Sequence, residues 1–346
     1  MRSVKPLLLA ALLSSTALAA HAEVKAVASI KPVHSLVAAV MEGVGEPGLI
    51  VEGAGSPHTY AMKPSQAQML EDADVVFWVG HELEAFLEKP LETIGAKATA
   101  IELLDSHGLA KLGFREGGAF EKHKHEDGDD HDDHDHGAEA GHDHDHEETA
   151  EKKDDHDHEE MAEAGHEHEH EHGEFDTHVW LDPLNAKAMV HEIEEALVKA
   201  DPENAAKYEA NAEAVSARLD ALIGEVSTDL EPVKGKPFIV FHDAYQYFEN
   251  RFGVSAAGSI TVSPEVMPGA ERIGEIRARV KELGAACVFA EPQFEPKLVA
   301  TVTEGTPAKA GVLDPLGAAL DDGPTLYFEL IRNMAASIKS CLSQAS

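Results

Sequence analysis

Two cysteines, Cys287 and Cys341, are all that 346 residues contain. That excludes a four-cysteine zinc module, and leaves room for one disulfide at most. Basic residues are also few, 28 against 64 acidic, for a formal charge of -36. A chain of that sign repels phosphate backbones and anionic lipid surfaces, so no nucleic-acid partner is expected. Long apolar runs are missing beyond the N-terminus, and with them any transmembrane span and any direct membrane insertion. No His-Glu-x-x-His helix, nucleophile elbow or Ser/His/Asp pattern occurs, which removes the usual signatures of a hydrolase. A cysteine that could carry a lipid at the N-terminus is lacking too.

The N-terminal run reads as a secretory leader over residues 1–22. Arg2 and Lys5 supply the charge, 7–13 the apolar stretch, and Ala20-His21-Ala22 a small-x-small cleavage site. Export with cleavage near Ala22 follows, and an oxidising compartment with it. There the even pair Cys287 and Cys341 reads as a disulfide, in preference to a thiolate metal site. Closing a loop of that span stabilises by roughly 4 kcal/mol in the chain-entropy model.

More than half of the charge excess lies in one tract, 121–174, with 24 acidic residues, four lysines and fourteen histidines. Those histidines are His123, His125, His131, His134, His136, His142, His144, His146, His156, His158, His166, His168, His170 and His172. With almost no aliphatic residues the tract has nothing to bury, so disorder is expected. Imidazoles and carboxylates at that density suit loose, low-affinity capture of zinc, copper or nickel.

Outside the tract the chain alternates strand-like and helix-like segments. Apolar strands are expected at 24–29, 48–51, 74–79 and 98–103, with helices at 32–41 and at 65–70, the latter opened by a serine cap. The grammar repeats after 232, with strands at 238–241, 254–258, 287–290 and 310–313 and helices between them and at the C-terminus. Such alternation predicts an α/β fold of two lobes, each with a mainly parallel sheet flanked by helices. Between them, 202–230 carries one apolar helical face and predicts a long linker helix, about 40 Å at 1.5 Å per residue. The expected parse is an N-terminal lobe over 23–120 and 175–200, a linker helix over 201–231 and a C-terminal lobe over 232–346.

Three histidines stand where such a fold places ligands. His58 lies in Ser56-Pro57-His58-Thr59-Tyr60, His178 in Asp176-Thr177-His178-Val179-Trp180, and His242 in Phe241-His242-Asp243-Ala244-Tyr245. His58 and His242 follow strands, and the carboxyl edge of an open α/β sheet is where ligands bind. Three imidazoles from separate loops, with a carboxylate or water as fourth ligand, meet the tetrahedral demand of zinc. Asp314, after the last strand, is the candidate fourth ligand or hydrogen-bond partner. His34 and His191 fall in helical patterns as surface or cap residues. His107 has no strand-end context, and His81 stands after a strand in Gly80-His81-Glu82.

These residues, with Thr177-His178-Val179-Trp180-Leu181-Asp182-Pro183, Phe289-Ala290-Glu291-Pro292-Gln293-Phe294 and Leu313-Asp314-Pro315-Leu316-Gly317, resemble the zinc-specific solute-binding proteins of bacterial ABC transporters, the ZnuA type. The resemblance runs over essentially the whole mature chain. It implies two α/β lobes joined by a long helix, with Zn2+ as transported ligand held in the cleft by His58, His178 and His242. It further implies a periplasmic monomer that hands the ion to an ABC permease in the cytoplasmic membrane. Related manganese-binding members use two histidines with a Glu and an Asp, so a third histidine at 242 favours zinc. Asp314 matches a family carboxylate that is a ligand in some members, and Pro57 stands where some zinc members carry Glu. The Cys287 and Cys341 pair also looks like the disulfide of the zinc subgroup.

A manganese or other divalent-metal carrier is the neighbouring alternative. A secreted zinc hydrolase, with Asp243 or Glu291 as base, is the alternative of a different class. A carrier needs a closed site for one ion; a hydrolase needs an open coordination position and space for substrate. Neutral imidazole is required for ligation, so binding is expected to weaken as pH falls through roughly 6.5.

Overall fold

The computed structural model describes residues 24–115, 120, 175–261, 264, 268–295 and 297–344. The expected leader over 1–22 and the histidine-rich tract of 121–174, with all fourteen of its histidines, lie outside the described residues.

The first sheet is built from β1 (Ala26–Ala28), β2 (Gly48–Leu49), β3 (Val75–Trp78) and β4 (Thr99–Glu102), in the order β2-β1-β3-β4 and parallel throughout. Helices α1 (Lys31–Val40), α2 (Pro64–Glu71) and α3 (Ala85–Thr93) make the crossovers. Sequence maps onto position in the sheet directly. Val-Val-Phe-Trp of β3 is buried along its whole length, as an inner parallel strand must be. Thr-Ala-Ile-Glu of β4 sits at the exposed edge.

The second sheet repeats that topology. Strands β5 (Phe238–His242), β6 (Ala256–Thr261), β7 (Cys287–Ala290) and β8 (Lys309–Val312) run in parallel in the order β6-β5-β7-β8. Its helices are α6 (Gln246–Phe252), α7 (Ala270–Leu283) and α8 (Lys297–Thr303). The two-lobe α/β architecture is thus borne out.

Helix α4 (Pro183–Ala200) and the 26-residue α5 (Ala205–Leu230) connect the sheets. The apolar stripe of α5, including Val215, Leu219, Leu222 and Val226, is buried against α4, α1 and the C-terminal helix α9 (Leu326–Ser343). Helix α9 therefore turns back from the second sheet to pack on α1 of the first half. One apolar cluster consequently runs unbroken from Val27 and Phe77 through Leu219 and Tyr327 to Phe238 and Phe289. Among the described residues, only the α7/α8 face of the second sheet has a core of its own, around Ile239, Val288 and Ile276. Cys287 of β7 is joined to Cys341 of α9, the expected disulfide, with Cα atoms 6.2 Å apart.

Two local expectations fail. Ser65 does not open α2. Pro64 takes the first helical position, where its missing N–H costs nothing, and Gln66 Oε1 accepts the Lys63 amide at 2.8 Å. His34 is no surface residue either: α1 is buried on every side, and the His34 ring meets the Pro47 carbonyl at 3.0 Å. A helix inserted between a sheet and two other helices has no outward face, and periodicity alone does not reveal that.

Glu84 is fully buried below the first sheet's carboxyl edge. Its carboxylate accepts the Val79 and Gly80 amides at 2.9 and 3.0 Å and the Ser29 hydroxyl. Burial outweighs those bonds and pushes its pKa up to about 7. The folded value lies above the unfolded one, so its contribution to stability is complete below the usual carboxyl range near 4.5 and lost as pH rises through about 7. In Glu84→Gln the amide oxygen can still accept the Val79 and Gly80 amides while the amide nitrogen donates to the Ser29 hydroxyl oxygen, without the charge. Its stability relative to the parent is expected to rise between pH 4.5 and 8 by about 3 kcal/mol. Thermal melts across that window check this, and a gap that stays constant with pH refutes it.

Candidate metal centre

The three histidines arrive by different routes. His58 sits in the loop after β2, fixed locally by the buried Pro57 before it. His178 precedes a short 3-10 turn, Val179–Leu181, that feeds α4, where Asp182 caps the helix by accepting the Leu184 amide at 2.8 Å. His242 is the last residue of β5 itself. Their ring centroids are 5.5 Å (58 to 178), 5.8 Å (58 to 242) and 5.1 Å (178 to 242) apart. One nitrogen from each lies within 4.8 Å of the other two. The Nε2 atoms of His178 and His242 are 3.2 Å apart. Two ligands on one tetrahedral zinc, at 2.0–2.1 Å each, would stand about 3.3 Å apart.

Two carboxylates aim these rings. Asp176 Oδ1 accepts from His178 Nδ1 at 2.6 Å, and Glu291 Oε1 from His242 Nδ1 at 2.7 Å. Each bond places the ring proton on Nδ1 and turns the Nε2 lone pair inward, the orientation a metal needs. Partners of this kind commonly tune affinity by 10–100-fold. Asp176 is held in turn by Gln246 Nε2 on its other oxygen, at 2.8 Å. Asp176 carries no expected role from its motif, and Glu291 is expected only as the base of the hydrolase alternative. The signals were there, an Asp two residues before a histidine and a Glu directly after strand β7.

Burial and the two neighbouring imidazoles hold the His58 pKa well below its ordinary value, which keeps that ring neutral. Burial also lowers His242, but the adjacent Glu291 carboxylate overrides it and the net shift is upward. Asp314 is not part of the three-histidine group. Its Oδ1 accepts from Gln293 Nε2 and the Leu316 and Gly317 amides, and its Oδ2 accepts the Ala318 amide at 2.6 Å. Here Asp314 shapes the loop that brings Pro315 and Leu316 to the wall of the crevice. The three rings line one crevice together with Pro57, Trp180 and Phe294.

Both halves of the chain hold the crevice together. Trp180 Nε1 donates to the Pro315 carbonyl at 2.8 Å, and the Tyr327 hydroxyl to the Trp180 carbonyl at 2.7 Å. The Arg115 guanidinium spans Asp243 and Glu249, and Arg251 makes a fork on Asp182 at 2.6 and 2.7 Å. Gly113 and Phe175 form an antiparallel bridge, and the Tyr247 hydroxyl donates to the Asp176 carbonyl at 2.7 Å. Both stems of the histidine-rich tract are thereby anchored beside α6 and the His178 turn.

A family profile described as ZnuA, zinc-uptake complex component A, periplasmic, matches residues 26–341. The chain belongs to the ZnuA family. High-affinity zinc uptake system protein ZnuA of Brucella suis biovar 1 is 58% identical over 318 residues, covering 92% of this chain and 91% of that protein. The protein of the same description from Yersinia pestis is 37% identical over 336 residues, covering 96% of each chain. Solved structures agree in fold. One described as the crystal structure of ZnuA has a TM-score of 0.67 at 22% identity, covering 92% of this chain and all of that one. The periplasmic zinc-binding protein TroA of Treponema pallidum reaches 0.71 at 17% identity, covering 93% of this chain and 99% of its own. Among the described residues, no helix is long and apolar enough to cross a membrane.

Proposed function

We propose that this chain is the extracytoplasmic zinc-binding component of an ABC importer, capturing Zn2+ and delivering it to a membrane permease. The observation that carries the reading is the convergence of three imidazole nitrogens within 4.8 Å, two of them steered inward by carboxylates. His58, His178 and His242 are the ligands, with Asp314 or water in the fourth position. Because Asp314 is engaged by backbone amides, water is the simpler fourth ligand and Asp314 enters only if its loop rearranges. The ion is cargo, so three convergent imidazoles that hold one dication serve the purpose. A hydrolase needs a base free to act beside the metal, whereas Asp243 is held by Arg115 and Glu291 by His242.

Export with cleavage near Ala22 puts the chain in the periplasm as a monomer with one disulfide. The tract of 121–174 gathers ions loosely. Its stems are tied within a few residues of His178, which raises the local concentration of zinc at the crevice. Hand-off to the permease then removes one ion per cycle.

Competitive calorimetry tests this. A chain lacking 121–174 is expected to keep one tight zinc ion and lose the weak ones, with manganese failing to displace zinc at equal concentration. Tighter binding of manganese, or no tight site once the tract is gone, would sink the proposal.

A further inference from the structure

A second group of metal-binding side chains stands on the same edge of the first sheet, at its other end. His81 and Glu82 follow β3 and Glu102 ends β4, whereas His58 follows β2 on the far side of β1. One ligand atom from each of His81, Glu82 and Glu102 lies within 4.8 Å of the other two. The imidazole is set between the carboxylates, Nε2 3.4 Å from Glu82 Oε1 and Nδ1 3.3 Å from Glu102 Oε1.

Several features distinguish this group from an ordinary solvated acidic patch. Glu82 Oε2 is buried without a hydrogen-bond partner, although the side chain as a whole reaches solvent. A buried carboxylate oxygen in that state is costly unless something binds it. Gly80, at φ +157°, lies beside the Glu102 carboxylate, and a Cβ there would collide with Glu102 Oε1. The glycine thus makes room for the carboxylate to sit beside its own strand end. Among the described residues no lysine or arginine pairs with Glu82 or Glu102, so two negative groups face one imidazole. Burial, only partly offset by His81, also raises the Glu102 pKa, as expected for a carboxylate short of positive charge.

We propose that His81, Glu82 and Glu102 form a second metal site, open to solvent, that takes a divalent transition-metal ion. One imidazole nitrogen and two carboxylate oxygens suit Zn2+ with water completing the shell. The three side chains are partly exposed, at 22%, 20% and 26%, so an ion reaches them without entering the histidine crevice. Closing around an ion requires the ligand atoms to approach to about 3.3 Å, which rotation of two glutamate side chains supplies. With fewer nitrogens and more solvent, this site binds more weakly than the crevice and fills after it.

The test is zinc-dependent protection of individual histidines from diethyl pyrocarbonate in the full chain, read peptide by peptide by mass spectrometry. His58, His178 and His242 are expected to be protected at the lowest zinc concentrations, and His81 over a second, higher range. In Glu82→Gln/Glu102→Gln the His81 midpoint should move at least tenfold higher while the other three stay unchanged. An unchanged His81 midpoint in that variant overturns the proposal. So does a zinc-edge anomalous map of crystals grown with zinc that shows no peak between the three side chains. Failure of protection at His58, His178 and His242, with His81 still protected, would count against the crevice reading and leave this one standing.

Discussion

Alanine at both His58 and His242 is expected to remove the tight zinc site, weakening binding by at least about a thousandfold, or about 4 kcal/mol. The two rings come from opposite halves of the chain, and only His178 would remain, pointed by Asp176 at a space with no second nitrogen. The expected residue is loose binding by the tract. His58 lies on a partly exposed loop, so His58→Ala alone should leave the fold intact and still cost affinity. His242 is buried and bonded to Glu291, so its removal also strands a carboxylate; a melt of the double variant separates unfolding from lost ligation. Calorimetry that finds one tight zinc ion in a folded double variant would disprove the ligand assignment.

Replacing Cys287 and Cys341 with alanine is the change expected to hurt stability most, by about 4 kcal/mol in the chain-entropy model. For a domain of this size that is roughly a 10 °C fall in Tm. The bridge closes a loop of 54 residues and fastens α9 to β7. Because α9 also packs on α1 and α5, loosening it disturbs the shared interior and not merely one edge. A non-reducing melt of the double variant decides the matter; an unchanged Tm would show that packing alone holds α9.

Much of this was legible in the residues because the signals were local. The apolar run of β3 announced an inner parallel strand, and Phe238 to His242 did the same for β5. What stayed hidden depends on contacts between remote segments. That Asp176 and Glu291 steer His178 and His242 follows from side chains meeting across 2 and 49 residues of sequence, and only the first is a neighbour. His34 looked like an outward residue because the helical period does not say how many sides of a helix are covered. His81 seemed isolated because Glu102 reaches it only through the pairing of β3 with β4. Asp314 reads as a ligand from its motif, yet its oxygens are engaged by amides a few residues on, a geometry set by how the loop turns.

The apolar interior that passes from one sheet to the other has a genetic corollary. Expressing residues before and after α5 as separate polypeptides would give each an uncovered greasy surface where α1, α5 and α9 now meet. Neither fragment would be a self-sufficient folding unit, so the two lobes could not be swapped independently between relatives as interchangeable parts.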